Sequence, residues 1–143
     1  MSDELDALRQ AMLTGNYAEA LALIDEMDEM SRDDKINKTE SYMRVLLVHL
    51  IKQAAEKRST RSWEASIREA LASIVSTNKR RKSGGRYLDD DALRESLGEA
   101  WPRALDRASM EAFEGIYTTD QLAVMVNREA LLEQAFQQIK DAS

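Results

Sequence analysis

The sequence predicts an all-α fold, a single helical bundle of about five or six helices, and three observations predict it. One Pro and five Gly in 143 residues are too few for the many turns of an all-β fold. Ala, Leu, Glu, Arg, Lys, Gln and Met dominate, and these side chains lose little rotamer freedom in a helix. Apolar residues recur at three- and four-residue spacing in successive segments separated by cap-type residues. A chain of this length is expected to form one domain, 1–143, and is long enough to bury a core.

The first helix is expected from near Ser2 to Leu13, with Leu5, Leu8, Met12 and Leu13 on one side and Asp3, Glu4 and Asp6 at the positive end of its dipole. Gly15-Asn16 ends it, since both residues tolerate the left-handed conformation. Asn16 followed by Glu19 forms a capping box for a second helix that places Tyr17, Ala20, Leu21, Ile24 and Met27 at helical spacing. Ser31 with Asp34 is a further capping signature, opening a third, long helix that reaches about Glu56. From Val45 to Ile51 that helix is apolar on almost every face except at His49, so it is expected at the centre of the bundle.

Ser59-Thr60-Arg61-Ser62 supplies cap-type residues, with Ser62 read as an N-cap, before a fourth helix carrying Trp63, Ile67, Ala70, Leu71, Ile74 and Val75. Residues 78–86 form the clearest loop, charged and glycine-bearing, and Asp89, Asp90 and Asp91 then suit a helix N-terminus. The fifth helix has the cleanest stripe, Leu93, Leu97, Ala100, Trp101, Ala104, Leu105 and Ala108. Pro102 within it removes a backbone donor and crowds the Gly98 carbonyl, which predicts a kink. Thr118 with Gln121 caps a last segment through Leu122, Met125, Val126, Leu132, Phe136 and Ile139, which Asn127 divides.

Charge is distributed in blocks. Residues 1–34 carry two Arg or Lys against ten Asp or Glu, residues 35–86 thirteen against four, and residues 87–143 five against twelve. A basic middle between acidic ends favours complementary docking within the chain over a polyanionic partner, which the acidic remainder repels. No cysteine is present, which excludes disulfides, thiolate metal sites and a Cys nucleophile. No apolar run reaches the roughly 20 residues of a membrane span. The acidic Met1-Ser2-Asp3-Glu4 start lacks the character of a signal peptide, so a cytoplasmic protein is expected.

Four stretches together resemble a known family. Leu-Ile-Asp-Glu-Met-Asp-Glu-Met at Leu23–Met30 is similar to the Leu-Ile-Glu-Glu-Ile-Glu stretch of the domain of unknown function 29 family. Val45–Lys52 is similar to that family's apolar helix with its single histidine. Arg58–Glu69 resembles its Arg-Ser-Arg-Ser-Trp followed by Thr-Ile-Arg-Glu, and Tyr117–Leu122 its closing Tyr-Thr-x-x-Gln-Leu. Order and approximate spacing match over roughly residues 17–124. The chain departs from the family in lacking an aromatic, Trp-containing N-terminal segment, and in having Gly115-Ile116 where the family has Cys-Pro. The resemblance implies a bacterial helical bundle and no assigned activity.

The candidate chemistry is sparse. His49, the only histidine, lies at the edge of an apolar face near Tyr42, Leu46 and Gln53. With no second histidine and Leu46 where a Glu-x-x-His motif needs its glutamate, a hydrogen-bonded structural role is preferred over metal binding. Asp25, Glu26, Asp28 and Glu29 crowd like charges on one helix, with Arg61 and Arg68 as the natural partners. Asp25, Asp28, His49, Arg61 and Arg68 therefore form a candidate polar pocket for a small anion or acid-base chemistry, weighed against an inter-helix ion-pair network. Lys79, Arg80, Arg81, Lys82 and Arg86 are candidate phosphate contacts for sequence-tolerant nucleic-acid binding, weighed against a solvated loop. Trp63 and Trp101 fall on apolar stripes and are expected in the core or a dimer interface.

No complete catalytic constellation, metal site or cofactor motif is present, so the residues favour a non-catalytic interaction module over an enzyme. Its partner is expected to be another protein or a second copy of the chain, as a homodimer. The alternative is a ligand site at Asp25, Asp28, His49 and Arg68. Nucleic-acid binding through residues 79–86 ranks third.

Overall fold

The computed structural model describes residues 2–80 and 84–143, arranged as α1 (Ser2–Leu13), α2 (Tyr17–Glu56), α3 (Arg61–Asn78), α4 (Asp90–Glu111), α5 (Thr119–Ala123) and α6 (Arg128–Ala142). Among the described residues there is no strand, only one isolated antiparallel bridge between Lys79 and Arg86. The chain forms two compact units, one ending at Lys35 and one spanning Ile36–Ser143, and α2 contributes to both.

The first unit is a helix–turn–helix. Gly15 turns the chain at φ +74°, a conformation that costs glycine nothing. The Asn16 carboxamide oxygen accepts from the Glu19 backbone N–H at 3.3 Å while its nitrogen donates to Glu19 Oε2 at 2.9 Å. The predicted cap is therefore present, with Glu19 returning to the Asn16 side chain. Among the described residues of this unit only Ala11 and Ala20 are buried.

The second unit holds the core. Met43, Leu46, Leu47, Leu50 and Ile51 of α2 are fully buried or nearly so. Around them α3 contributes Ile67, Ala70 and Ile74, α4 the predicted stripe from Leu93 to Ala108, α5 Leu122, and α6 Leu131, Ala135, Phe136 and Ile139. Each large aliphatic side chain buried this way contributes roughly 1.5–3 kcal/mol. Pro102 sits inside α4 on its exposed face, so the missing N–H and the ring face away from the core.

Caps define the helix starts. Thr60, Asp89 and Asn127 each accept a backbone N–H three residues on, and Thr118 with Gln121 completes a reciprocal capping box. Two expectations are corrected. The cap of α3 is Thr60, whose hydroxyl receives the Trp63 N–H at 3.0 Å, and Ser62 lies inside the helix. The expected second and third helices are one, α2, with no break at Ser31–Asp34. No Gly or Pro lies between Tyr17 and Glu56, and residues 31–34 are exposed, so no buried contact rewards leaving the helix there.

The loop after α3 is held by a buried side chain. Asn78 receives the Leu88 N–H on Oδ1 at 2.7 Å and donates from Nδ2 to the Leu88 carbonyl at 3.0 Å. Arg80 N–H donates to Gly85 O and Tyr87 N–H to Asn78 O, so the residues on either side of 81–83 are hydrogen-bonded to each other.

Candidate functional site

The most elaborate arrangement of side chains lies where the end of α2, the start of α3 and the turn after α4 meet. Lys52 is buried, and its Nζ donates to Glu111 Oε1 at 3.0 Å. Glu111 also receives Arg107 Nε on Oε2 at 2.8 Å, so a chain Arg107–Glu111–Lys52 runs along α4 onto α2. Glu56 receives Arg58 Nε at 2.8 Å on one oxygen and the Phe113 backbone N–H at 3.1 Å on the other. Trp63 lines the same cleft as the two glutamates, with Lys52 Nζ and the Arg58 guanidinium each 4.7 Å from its ring centroid. A charge over an indole face is attracted by the ring quadrupole.

The wall of this cleft is strained backbone. Phe113, Glu114 and Gly115 take φ of +51°, +59° and +78° in succession. Glycine does this freely, whereas the two residues before it do so at a cost of order 1–2 kcal/mol each. The Phe113 ring is held edge-on to Tyr117 at 5.2 Å, and its N–H is held by Glu56. The resulting cleft, about 410 Å³, is lined by Lys52, Glu56, Arg58, Trp63, Phe113 and Ile116 among others.

Its electrostatics are closed on themselves. Burial alone would raise the Glu56 and Glu111 carboxyls, but their cations and the Phe113 N–H outweigh it and hold both below the usual carboxylate range. His49 is half-buried one turn before Lys52. Burial, and then the Lys52 charge, push it below the ordinary imidazole range, with Glu111 opposing. The hydrogen bond expected of His49 is not made at Nδ1, which is buried and has no partner among the described residues.

Of the residues of the expected polar pocket, Asp25 and Asp28 are exposed in the first unit and Arg61 and Arg68 are exposed on α3 of the second, and none of the four makes a side-chain hydrogen bond or ion pair with another described residue. The carboxylate that His49 senses is Glu111. Trp101 is buried as expected, whereas Trp63 is half-buried with two cations against its ring. In the basic loop, Arg86 is engaged by Asp90 at 3.0 Å and Arg80 lies over the Tyr87 ring at 5.5 Å. Lys79 is exposed, and Arg81 and Lys82 lie outside the described residues. Among the described residues no group of three His, Cys, Asp or Glu could hold a metal ion.

A second feature belongs to the first unit. Tyr17, Leu21 and Ile24, at the i, i+4, i+7 spacing of one helix face, are 63 %, 61 % and 44 % exposed. Met12 and Leu13, just before the turn, are exposed as well. An amphipathic helix ordinarily turns such a stripe inward.

Residues 3–137 match the family described as Domain of unknown function DUF29, and the chain belongs to that family. No curated protein and no solved structure matches it. No helix of the described residues is long and apolar enough to cross a membrane.

Proposed function

We propose that this DUF29 member is a non-catalytic protein-interaction module, and that its docking face is the apolar side of the helix–turn–helix ending at Lys35. The observation that carries the reading is the exposed stripe of Tyr17, Leu21 and Ile24 in a unit whose described buried residues are only Ala11 and Ala20. Below about 40 residues a unit seldom buries enough apolar surface by itself, and this one has no cysteine to staple it. Met12 and Met30 add polarizable, adaptable surface.

Charge selects the occupant. Residues 1–34 carry a net charge of −8, so two copies meeting through this face would repel each other. A partner presenting a basic amphipathic helix supplies both the apolar stripe and the opposite charge. The self-compensated cleft of the second unit supports the non-catalytic side of the reading. Carboxylates held below their usual range are poor general bases near neutrality, and each already has its cation at hydrogen-bond distance.

The test uses the full chain and a synthetic Leu/Lys amphipathic helix, with a Leu/Glu helix of the same pattern as control, read by fluorescence anisotropy. The Leu/Lys helix is expected to bind and the Leu/Glu helix not to. Leu21→Asp with Ile24→Asp should weaken binding at least tenfold with the thermal midpoint unchanged. Absence of binding, or binding that survives the double substitution, removes the proposal. So does a light-scattering dimer that this same double substitution converts to monomer, since the face would then belong to a second copy.

A further inference from the structure

We infer that the groove between α2 and α4, which shares no lining residue with the Trp63 cleft, is a binding site for the phosphoryl group of an organic phosphate monoester. The groove measures about 410 Å³ and is lined by Ser41, Arg44, Val45, Val48, Arg103 and Arg107. Three arginines line one depression, and among the described residues no Asp or Glu lines it. That placement is unfavourable without an anion, because like charges on facing helix surfaces repel, and it occurs in a chain whose net charge is −6.

The three arginines are differently committed. Arg107 donates its Nε–H to Glu111 Oε2 at 2.8 Å, which orients the fork and leaves its two terminal nitrogens without a hydrogen-bond partner among the described residues. Glu111 is itself fixed by the buried Lys52, so the orientation of Arg107 is anchored in the core. Arg44 and Arg103 make no side-chain hydrogen bond or ion pair with another described residue. Arg58, Arg86, Arg94 and Arg128, by contrast, each hold a carboxylate. A planar guanidinium donates two parallel hydrogen bonds to one pair of oxygens. One such fork satisfies a carboxylate. Two uncommitted forks and the terminal nitrogens of a third, with Glu111 offsetting one of the three positive charges, match a dianion with three terminal oxygens.

The remaining lining residues set the rest of the ligand. Val45 and Val48 line the groove beside the arginines, and Val45 is 43 % exposed although it belongs to the most apolar stretch of α2. A free inorganic ion would leave that apolar surface wet, whereas the organic part of an ester covers it.

The test titrates the full chain with phenyl phosphate, inorganic phosphate, benzoate and chloride at matched ionic strength, read by thermal midpoint and by calorimetry. A ligand that binds only the native state raises the midpoint by mass action. Phenyl phosphate is expected to raise it above the chloride control. Arg44→Gln with Arg103→Gln should weaken its dissociation constant at least tenfold while circular dichroism stays unchanged. Val45→Glu, which puts a carboxylate into the groove at an exposed position, provides an independent second variant and should abolish the response. A phenyl phosphate effect exceeding that of inorganic phosphate supports the ester. Equal effects of those two overturn the ester, and benzoate matching phenyl phosphate overturns the phosphoryl assignment. No response beyond chloride, or a response that survives both variants, overturns the site altogether. None of these variants touches residues 2–35, so this site and the proposed docking face fail separately.

Discussion

Leu21 and Leu47 lie on the same helix, one on each side of the boundary at Lys35–Ile36, and one is 61 % exposed while the other is fully buried. Helix propensity is the same for both, so the difference comes from what surrounds them. Around Leu47, four further helices contribute apolar residues to one core. Residues 2–35 have a single turn and, among the described residues, two buried alanines. In α2 the same local chemistry serves two ends: stability where apolar partners are at hand, and unspent apolar surface where they are not. This contrast is why the interaction proposal rests on the first unit and the anion proposal on the second.

The largest effect should come from truncating the buried member of that pair. Leu47→Ala is expected to cost about 3 kcal/mol of unfolding free energy, the transfer of the removed carbons plus the cavity left behind. Leu21→Ala, made in water, should stay within about 0.5 kcal/mol. Urea denaturation of the two variants compares them directly. A cost at Leu21 approaching that at Leu47 would mean that the face is covered in solution.

Two glycines sharpen the comparison at smaller amplitude. Gly15 and Gly115 have φ of +74° and +78°, so any side chain meets the same backbone penalty at either. A Cβ at Gly15 meets nothing within 4 Å, whereas at Gly115 it lies 2.8 Å from the Met110 carbonyl oxygen. Gly15→Ala should cost about 1 kcal/mol and Gly115→Ala about 2 kcal/mol or more, since backbone must shift as well. Glu114→Gly, by relieving a left-handed non-glycine, should instead stabilise by about 0.5 kcal/mol after the entropy glycine adds to the unfolded chain. Thermal unfolding followed by circular dichroism reads all three, and equal costs at the two glycines would show that the turn after α4 yields easily.

Much of the fold was legible because its signals are local. Asn16, Asp89, Thr118 and Asn127 mark helix starts by hydrogen bonds that span three residues. The stripes of α4 and α6 are visible as periodicity alone. The Ser31–Asp34 signature misled because cap-type residues also sit on exposed helix surface when nothing nearby ends the helix. The sites were far less legible. Lys52 and Glu111 are 59 residues apart in sequence, and Arg44 and Arg103 are equally far apart, so no spacing rule brings either pair together. Phe113 and Glu114 carry no sequence signal for left-handed backbone, since the residue expected there is glycine or asparagine. His49 stands out in the sequence only as the single histidine, and the charges that act on it, Lys52 and Glu111, come one from its own helix and one from α4.

The smallest effect separates the two units by pH. Because burial and the Lys52 charge depress the imidazole pKa of His49, the native state prefers it neutral. On acidification the unfolded chain takes up the proton first, from about pH 6.5 downward. The unfolded state then binds more protons, so unfolding free energy falls with falling pH through that range and levels off below the native pKa. Glu56 and Glu111, also depressed, act lower down, since their contribution is full above the unfolded carboxylate value of about 4.3 and is lost as pH falls through their native values. The histidine range opens well above the carboxylate range, which makes the histidine separable at its upper end. The first unit contains no histidine, so the slope between pH 7.5 and 5.5 belongs to residues 36–143. Urea midpoints at pH 7.5, 6.5 and 5.5 should fall for the native chain and fall less for His49→Gln. Identical slopes in the two proteins, or a midpoint that rises on acidification, would mean that His49 is not held neutral by its surroundings.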